Sequence, residues 1–308
     1  MKRVVSISLG SSERNHKVNT VMGSEEFEIE RIGTDGSISS MIDTIKELDG
    51  KVDAFGLGGI DLYLFAGEKR YTLHDAKKIV ANAKLTPIVD GSGLKNTLER
   101  RTLEYLNDQG WDFSDKKVLM VCAMDRFGMA QTFEKFKANM VYGDLVFTLG
   151  IPVKIRSLKT LYKIAKIVMP VIKYLPFKLF YPTGNKQETQ IKKHKELFKW
   201  ADIIAGDYHY IKRFMPEDLS NKIIITNTVT SKDIEVLKSK NAGYLVTSTP
   251  ELNGRSFGTN VMEAVLVAMS GEKELSVKQY EDLLHKVNFL PRIVKLDQED
   301  RRRDLLHG

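Results

Sequence analysis

Short apolar runs alternate with helical patterns along the whole chain, and this alternation constrains the fold more than any other feature. Apolar runs separated by helical segments are typical of a parallel sheet covered by helices, so the sequence predicts the α/β class. Predicted strands cover residues 4–7, 27–31, 52–55, 87–89, 117–122, 145–148, 203–206, 223–226 and 244–247. In the first half, predicted helices cover residues 38–48, 73–83 and 94–106.

The domain organisation follows from length and from one polar break. A chain of 308 residues is long for a single core. The polar segment 107–115 separates the two halves. We therefore predict an N-terminal α/β substrate-type domain (1–113), a doubly wound Rossmann-like domain (114–271) and a C-terminal helix with a charged tail (272–308). The C-terminal helices are expected to pack back on the interdomain cleft.

The charge distribution limits the class of partner. The net charge is +7, but residues 151–200 alone carry twelve Lys or Arg against Glu188 and Glu196, which gives +10 there and −3 elsewhere. A local excess argues against a nucleic-acid-binding surface over the whole protein and for a local anionic partner or a solvated face. Because Cys122 is the single cysteine and we see neither an export segment nor a spanning run, we expect a cytoplasmic protein.

The segment 157–181 combines a narrow basic arc with a wide apolar one. Lys159, Lys163, Lys166 and Lys173 share the basic arc of a helical wheel, and Pro170 is expected to kink the helix. We expect burial of this segment against the sheet or in a subunit interface, as in a homodimer. Peripheral contact with an anionic membrane is the alternative.

Polar residues follow the predicted strands, where open α/β sheets bind their ligands. Candidate cofactor contacts are Asp125, Arg126, Gly128, Lys154, Arg156, Asp207, Asn227 and Thr228. Candidate substrate contacts are Ser6, Ser8, Asp61, His209, Glu251 and Arg255. Only Gly128 remains of a dinucleotide fingerprint after the strand at 117–122. Lys154 and Arg156 favour NADP slightly over NAD, although both also fit a solvated surface. The six histidines are scattered, so we predict no metal site.

Three stretches together, residues 90–94, the strand at 117–122 and residues 258–271, resemble the shikimate and quinate 5-dehydrogenase family. The segment 90–94 (DGSGL), shortly before the strand at 117–122, resembles the TDGxG segment of that family. Residues 258–271 resemble its C-terminal helix. The resemblance implies that Asp90 is a catalytic partner and substrate ligand, and Lys69 and Lys77 lie in the region of the catalytic lysine. The NVTxPxK stretch of the family has no counterpart here.

The resemblance implies an NAD(P)-dependent oxidoreductase. Hydride transfer on a hydroxy or carbonyl compound in the interdomain cleft needs a group that exchanges the hydroxyl proton and a cofactor that carries the hydride. Two alternatives stay open: a non-catalytic nucleotide-binding or sensor protein, and a membrane-surface enzyme acting on a lipid-like substrate.

Overall fold

The computed structural model describes residues 1–66, 69–174, 194–252 and 255–296. The elements of its first part are β1 (Lys2–Ser8), a 3₁₀ turn (Ser12–Arg14), β2 (His16–Met22), β3 (Glu25–Gly33), α1 (Ile38–Leu48), β4 (Ala54–Gly58), β5 (Tyr63–Ala66), β6 (Lys69–Thr72), α2 (His74–Val80), β7 (Ile88–Val89) and α3 (Ser92–Asp108).

The second part continues from β8 to β15. Its elements are β8 (Lys117–Met120), α4 (Phe127–Lys135), β9 (Asn139–Tyr142), α5 (Asp144–Phe147), α6 (Leu158–Ile172), α7 (Lys195–Trp200), β10 (Ile203–Ala205), α8 (Tyr208–Phe214), β11 (Ile223–Thr226), α9 (Ser231–Ser239), β12 (Tyr244–Thr247), β13 (Glu251–Leu252), β14 (Arg255–Ser256), α10 (Thr259–Ser270), α11 (Val277–Lys286) and β15 (Arg292–Lys295).

The first domain is built on a five-stranded sheet of order β2-β3-β1-β4-β7. β1 pairs in parallel with β3 and β4, and β2 is antiparallel to β3. Successive side chains of a strand point to opposite faces. Val4 therefore packs with α10 and α11 on one face, whereas Val5 and Ile7 pack with α1 and α2 on the other. Burial of both faces explains why residues 4–8 of β1 are all buried and carry no charge.

The second domain is built on a six-stranded sheet of order β15-β12-β11-β10-β8-β9, in which β15 alone runs antiparallel. Helices cover both faces: α7, α8 and α9 on one, and α3, α4 and α6 on the other. The chain reverses its direction across the sheet between β8 and β10, as in doubly wound folds. The predicted α/β class with two sheet domains is confirmed.

One predicted strand is a helix. Residues 145–148 were expected to be extended, but Asp144–Phe147 forms α5, and the strand that follows α4 is β9, Asn139–Tyr142. A short apolar run fits a strand and a buried helical turn equally well, so periodicity does not separate them. Val146 and Phe147 are buried in the helical form, and the N–H of Gly143, directly after β9, donates to the carbonyl of Met120 at the end of β8.

The C-terminal elements do not follow the predicted domain ranges. α10, expected within 114–271, packs against β1 and β4 of the first sheet. It is buried nearly all round, which requires contacts on several sides. α3 packs on another side of it, and Tyr280 of α11 donates a hydrogen bond to Glu263 of α10. β15, expected in the 272–308 tail, forms the edge strand next to β12. The chain therefore returns to the first domain before it completes the second sheet.

The helix α6 is buried on one face only. Leu158, Leu161, Ala165 and Met169 are buried, and the last two contact Tyr71 of the first domain. The opposite face exposes Ile167, Val171 and Tyr174 beside exposed lysines. The expected burial is therefore found for one face of the segment only. Residues 175–181 of this segment lie outside the described residues. Among the helices in the described ranges, none is both long and apolar enough to cross a bilayer.

Candidate functional site

A cavity of about 280 Å³ lies between the carboxyl ends of the two sheets. Loops that follow β1, β4 and β7 line it from the first domain, and loops that follow β8, β10 and β11 line it from the second. The cavity brings together ten of the residues predicted from sequence: Ser6, Ser8, Asp61, Asp90, Asp125, Arg126, Asp207, His209, Asn227 and Thr228. The strand ends therefore converge on one interdomain cleft.

The other predicted site residues lie elsewhere. Lys69 is exposed on the β5–β6 hairpin, with its ammonium over the Tyr71 ring. Lys154 and Arg156 are exposed and do not line the cleft; Arg156 lies over the Trp200 ring. The side chains of Glu251 and Arg255 lie outside the described part of the structure.

Asp90 is a structural carboxylate. One oxygen accepts the backbone N–H groups of Leu62 and Tyr63 at 2.6 and 3.0 Å. The other accepts the N–H and hydroxyl of Ser92 at 3.0 and 2.5 Å. Four protein donors already satisfy this buried group, so it anchors the loop after β4 and the start of α3. This differs from the proton-exchanging role that the resemblance implies.

Lys95, which the sequence did not single out, is a buried cation of the cleft. Its Nζ lies 2.8 Å from Asp125 Oδ1 and 3.7 Å from Asp61 Oδ1, and its side chain is 11% exposed. Burial lowers the pKa of Lys95, but the carboxylates of Asp125 and Asp61 outweigh it and raise that pKa above the ordinary value. The group is therefore an ammonium at neutral pH. It can donate hydrogen bonds to a ligand oxygen but is a poor base.

A second ion-pair network is centred on Arg126. The guanidinium of Arg126, 2% exposed, donates to Glu99 on α3 and to Asp207 Oδ2 at 3.1 Å. Asn227 Nδ2 donates to the same Asp207 oxygen at 3.0 Å. The network ties α3 to the loops after β8, β10 and β11 and fixes the floor of the cleft.

The carboxylates of this network titrate in opposite directions. Burial raises the pKa of Glu99 to about 7, against the opposing charge of Arg126. The pKa of Asp207 is lowered, because His209 and Arg126 outweigh its burial. Asp207 is therefore an anion at neutral pH and pairs with Arg126.

The turn after β8 does not fit the pyrophosphate of a dinucleotide. Such a turn must offer free backbone amides. Here Asp144 Oδ1 accepts the N–H groups of Ala123 and Met124 at 2.9 and 2.8 Å. Asp125 adds a carboxylate that is paired with Lys95, so a phosphate would meet negative charge and occupied donors.

Gly128 has a packing role. A Cβ at this position would lie 2.3 Å from Asn96 Oδ1, so the glycine allows α4 to pack against α3.

The preference for NADP over NAD also loses its basis, because Lys154 and Arg156 follow α5 and not the strand β9. In the described residues, no three His, Cys, Asp or Glu side chains are grouped as metal ligands.

Glycines within β4 and directly after it let the start of α10 approach the cleft. A Cβ at Gly56 would lie 2.8 Å from the Asn260 carbonyl oxygen, and Gly59 has a φ of +74°. Asn260 Nδ2 donates to Ser6 Oγ at 2.9 Å. These glycines therefore serve the packing of α10 on β4 and a tight turn.

The fold and the cleft define a two-domain α/β protein whose two sheets direct their carboxyl ends into one interdomain cavity. The chain belongs to the family described as Domain of unknown function (DUF8754), whose model matches residues 93–296. Residues 3–90 match a second model, described as Domain of unknown function (DUF8753). A search of curated proteins finds no match.

Several solved structures match this chain at low sequence identity and low TM-score. A galactofuranose binding protein is 10% identical with a TM-score of 0.37, over 94% of this chain and 99% of that one. A periplasmic ribose ABC transporter from Conexibacter woesei is 10% identical with a TM-score of 0.37, over 100% and 95%. A hetero-hexameric glutamate dehydrogenase from Thermus thermophilus is 12% identical with a TM-score of 0.42, over 93% and 73%.

Proposed function

We propose that this protein binds a small polar compound in the interdomain cleft, with Lys95 donating to one of its oxygens. The observation that carries the proposal is the cavity of about 280 Å³ into which both domains direct polar strand ends around a buried ammonium. Ligand pockets commonly measure roughly 300–1,000 Å³, so this one suits a small metabolite.

The charges around Lys95 suit a hydroxyl or carbonyl group. The ammonium is held by Asp125 and Asp61, so its direction is fixed before a ligand arrives. A donor fixed in a buried site interacts more strongly with a ligand oxygen than the same donor in water. The two carboxylates can accept hydrogen bonds from neighbouring ligand hydroxyls. The raised pKa of Lys95 favours polarisation of the ligand over removal of its proton.

An NAD(P)-dependent oxidoreductase of the shikimate and quinate dehydrogenase type is the second candidate. It is supported by the doubly wound second sheet, whose reversal point between β8 and β10 opens on the cleft. Against it stand the occupied amides of Ala123 and Met124 and the side chains of Asp125 and Arg126 in the turn. A dinucleotide would have to bind away from this turn, so we assign no hydride step to named residues.

A contact between α6 and an anionic membrane is proposed separately. Ile167, Val171 and Tyr174 are 76, 62 and 68% exposed, and Lys163 and Lys166 are exposed on the same helix. Apolar side chains beside lysines suit the level of anionic headgroups.

The free, buried thiol of Cys122 supports the proposal that the protein works in the cytoplasm.

A thermal-unfolding screen tests the cleft proposal. Small hydroxylated and carbonyl compounds, NAD and NADP are each added to the wild-type protein, to Lys95→Met and to the control Lys46→Gln, which alters an exposed lysine of α1. We expect a small compound to raise the melting temperature of the wild type and the control but not of Lys95→Met. Stabilisation by a dinucleotide that is unchanged in Lys95→Met would favour the second candidate.

A further inference from the structure

The ammonium of Lys95 keeps hydrogen-bond donors that the described residues do not use. A lysine ammonium has three N–H donors. Within the described part of the chain, Lys95 Nζ makes one hydrogen bond, to Asp125 Oδ1 at 2.8 Å. Asp61 Oδ1 lies 3.7 Å from Nζ, beyond the usual hydrogen-bond distance. Two N–H groups are therefore available to a ligand in the cavity that Lys95 lines.

Asp125 offers a matching acceptor beside these donors. Its Oδ1 is bonded to Lys95, and its Oδ2 makes no hydrogen bond to the residues that the structure describes. The side chain is 23% exposed and lines the same cavity. A carboxylate oxygen accepts hydrogen bonds and donates none. The ion pair therefore holds two donors and one acceptor side by side before a ligand arrives.

A hydroxyl group fits this pair better than a carbonyl group does. A hydroxyl accepts from an ammonium and also donates its own proton to a carboxylate, whereas a carbonyl only accepts. Two hydroxyls on adjacent carbons present two such oxygens together. Each can accept from one available N–H of Lys95, and one of them can donate to Asp125 Oδ2. A pair of hydroxyls further apart cannot face both residues in this way.

The charges around the cavity nearly balance. Among the described residues, five Lys or Arg and four Asp side chains line it. Arg126 is paired with Asp207 and with Glu99, and Lys95 is paired with Asp125. A charged ligand would lose its hydration without meeting a matching excess of opposite charge, so the cavity favours an uncharged ligand.

Apolar side chains line the cavity beside these polar groups. They are Leu57, Ile60, Val229, Phe257 and Val261. Ligand pockets typically combine an apolar lining with a few polar groups that fix the orientation of the ligand. The C–H groups of a compound that carries adjacent hydroxyls suit this lining.

We propose that the ligand of the cleft is an uncharged compound with a vicinal diol, whose adjacent hydroxyls bind Lys95 Nζ and Asp125 Oδ2. This inference rests on the proposed function and names the class of its ligand. A free polyol and the ribose of a nucleoside both carry this group. The cavity of about 280 Å³ suits a compound of that size.

Titration of the wild-type protein with cis-vicinal cyclohexanediol, followed by protein NMR, tests the inference. The matched control ligand is the isomer whose hydroxyls lie one carbon further apart, and a cyclohexane with one hydroxyl and an adjacent carboxylate adds a charge. We expect the vicinal diol to bind about 10-fold more tightly than either, as for one hydrogen bond to a charged group. This comparison needs no variant and so does not depend on the folding of one.

Two variants then locate the diol. Asp125→Asn keeps one oxygen for Lys95 but replaces the acceptor Oδ2 with a donor, and Lys95→Met removes the ammonium. We expect each to bind the vicinal diol about 10-fold more weakly, and the control Asp43→Asn, at an exposed carboxylate of α1, to bind it like wild type. Thermal unfolding without ligand checks the folding of each variant. Titrations with myo-inositol and with adenosine separate a free polyol from a ribose.

Three results would overturn the inference: equal affinity for the two isomers, tighter binding of the carboxylate compound, or unchanged diol binding in a folded Asp125→Asn protein. If the two isomers bind equally and both depend on Lys95, this inference alone fails and the cleft proposal stands. If the vicinal diol binds to Lys95→Met as tightly as to wild type, both fail.

Discussion

Nζ of Lys95, on α3, lies 2.8 Å from Oδ1 of Asp125, in the loop after β8. This ion pair joins α3 to the loop that follows the first strand of the second sheet. The N-terminal half of α3 packs on the first domain through Leu94 and Leu98, and its C-terminal half packs on the second through Leu103 and Leu106. Lys95 is therefore placed by a helix that belongs to both cores.

Removal of Lys95 should destabilise the fold more than removal of a surface lysine. Lys95→Met removes the cation that Asp61 and Asp125 share, and the loss of one partner of a buried pair costs about 3 kcal/mol or more. Lys135→Met, which breaks the exposed pair with Glu104, should cost about 0–1 kcal/mol. Urea unfolding measures both changes. Equal destabilisation by the two substitutions would contradict a buried role for Lys95.

Stability should fall as the pH rises from about 5 to 9. Burial raises the pKa of Glu263 to about 8, and burial raises that of Glu99 to about 7. An acid whose pKa is raised by folding contributes stability that is complete below its unfolded pKa of about 4.3 and is lost as the pH passes its folded pKa. Glu263 accepts a hydrogen bond from the Tyr280 hydroxyl, and Glu263→Gln replaces it with a side chain that cannot ionise, so this variant should flatten the fall above pH 7.

Thermal unfolding at pH 5, 7 and 9 tests this sign. Glu47→Gln at an exposed site of α1 is the matched control and should keep the wild-type slope. A wild-type protein that becomes more stable between pH 5 and 9 would show that the two buried carboxyls do not behave as described.

Gly128→Ala should disturb packing between α3 and α4. The new Cβ would meet Asn96 Oδ1 and the Asn96 carbonyl oxygen at 2.3 and 2.6 Å, and overpacking of this kind typically costs about 1–3 kcal/mol. Gly243→Ala is the control, since the nearest atom to its added Cβ is 3.5 Å away. The free energy of unfolding is measured for both. A Gly128→Ala protein as stable as the control would remove the packing explanation for this glycine.

The exposed face of α6 should determine any binding to anionic lipid. Ile167→Ser with Val171→Ser removes two exposed apolar side chains. We expect wild type to sediment with vesicles that contain phosphatidylserine and not with pure phosphatidylcholine vesicles, and the double variant to stay in the supernatant. The control is Val21→Ser, an exposed apolar residue of β2. Sedimentation of the double variant to the wild-type extent would rule out this face.

The sequence predicted the strand ends of the cleft because polar residues after buried strands meet at one edge of a parallel sheet. It did not predict Lys95, since a lysine within an amphipathic helix normally indicates a solvated face. The available signal was that Lys95 and Glu99 lie one turn apart beside Leu94 and Leu98, on the side of α3 that becomes buried.

Two other differences have local causes. The strand at 145–148 was misplaced because its apolar run also fits α5, and this error moved the expected carboxyl end of the strand from Tyr142 to the region of Lys154. Asp144, which actually follows β9, turns inward to the amides after β8. No pattern in the sequence distinguishes an inward carboxylate from one that faces a ligand.

A crystal structure of the protein, grown with the small compound that raises its melting temperature, shows whether the cleft is the binding site. We expect electron density in the cavity between the two sheets, with a ligand oxygen within hydrogen-bond distance of Lys95 Nζ. Density on another surface, or a cavity closed by protein side chains at saturating ligand, would contradict it.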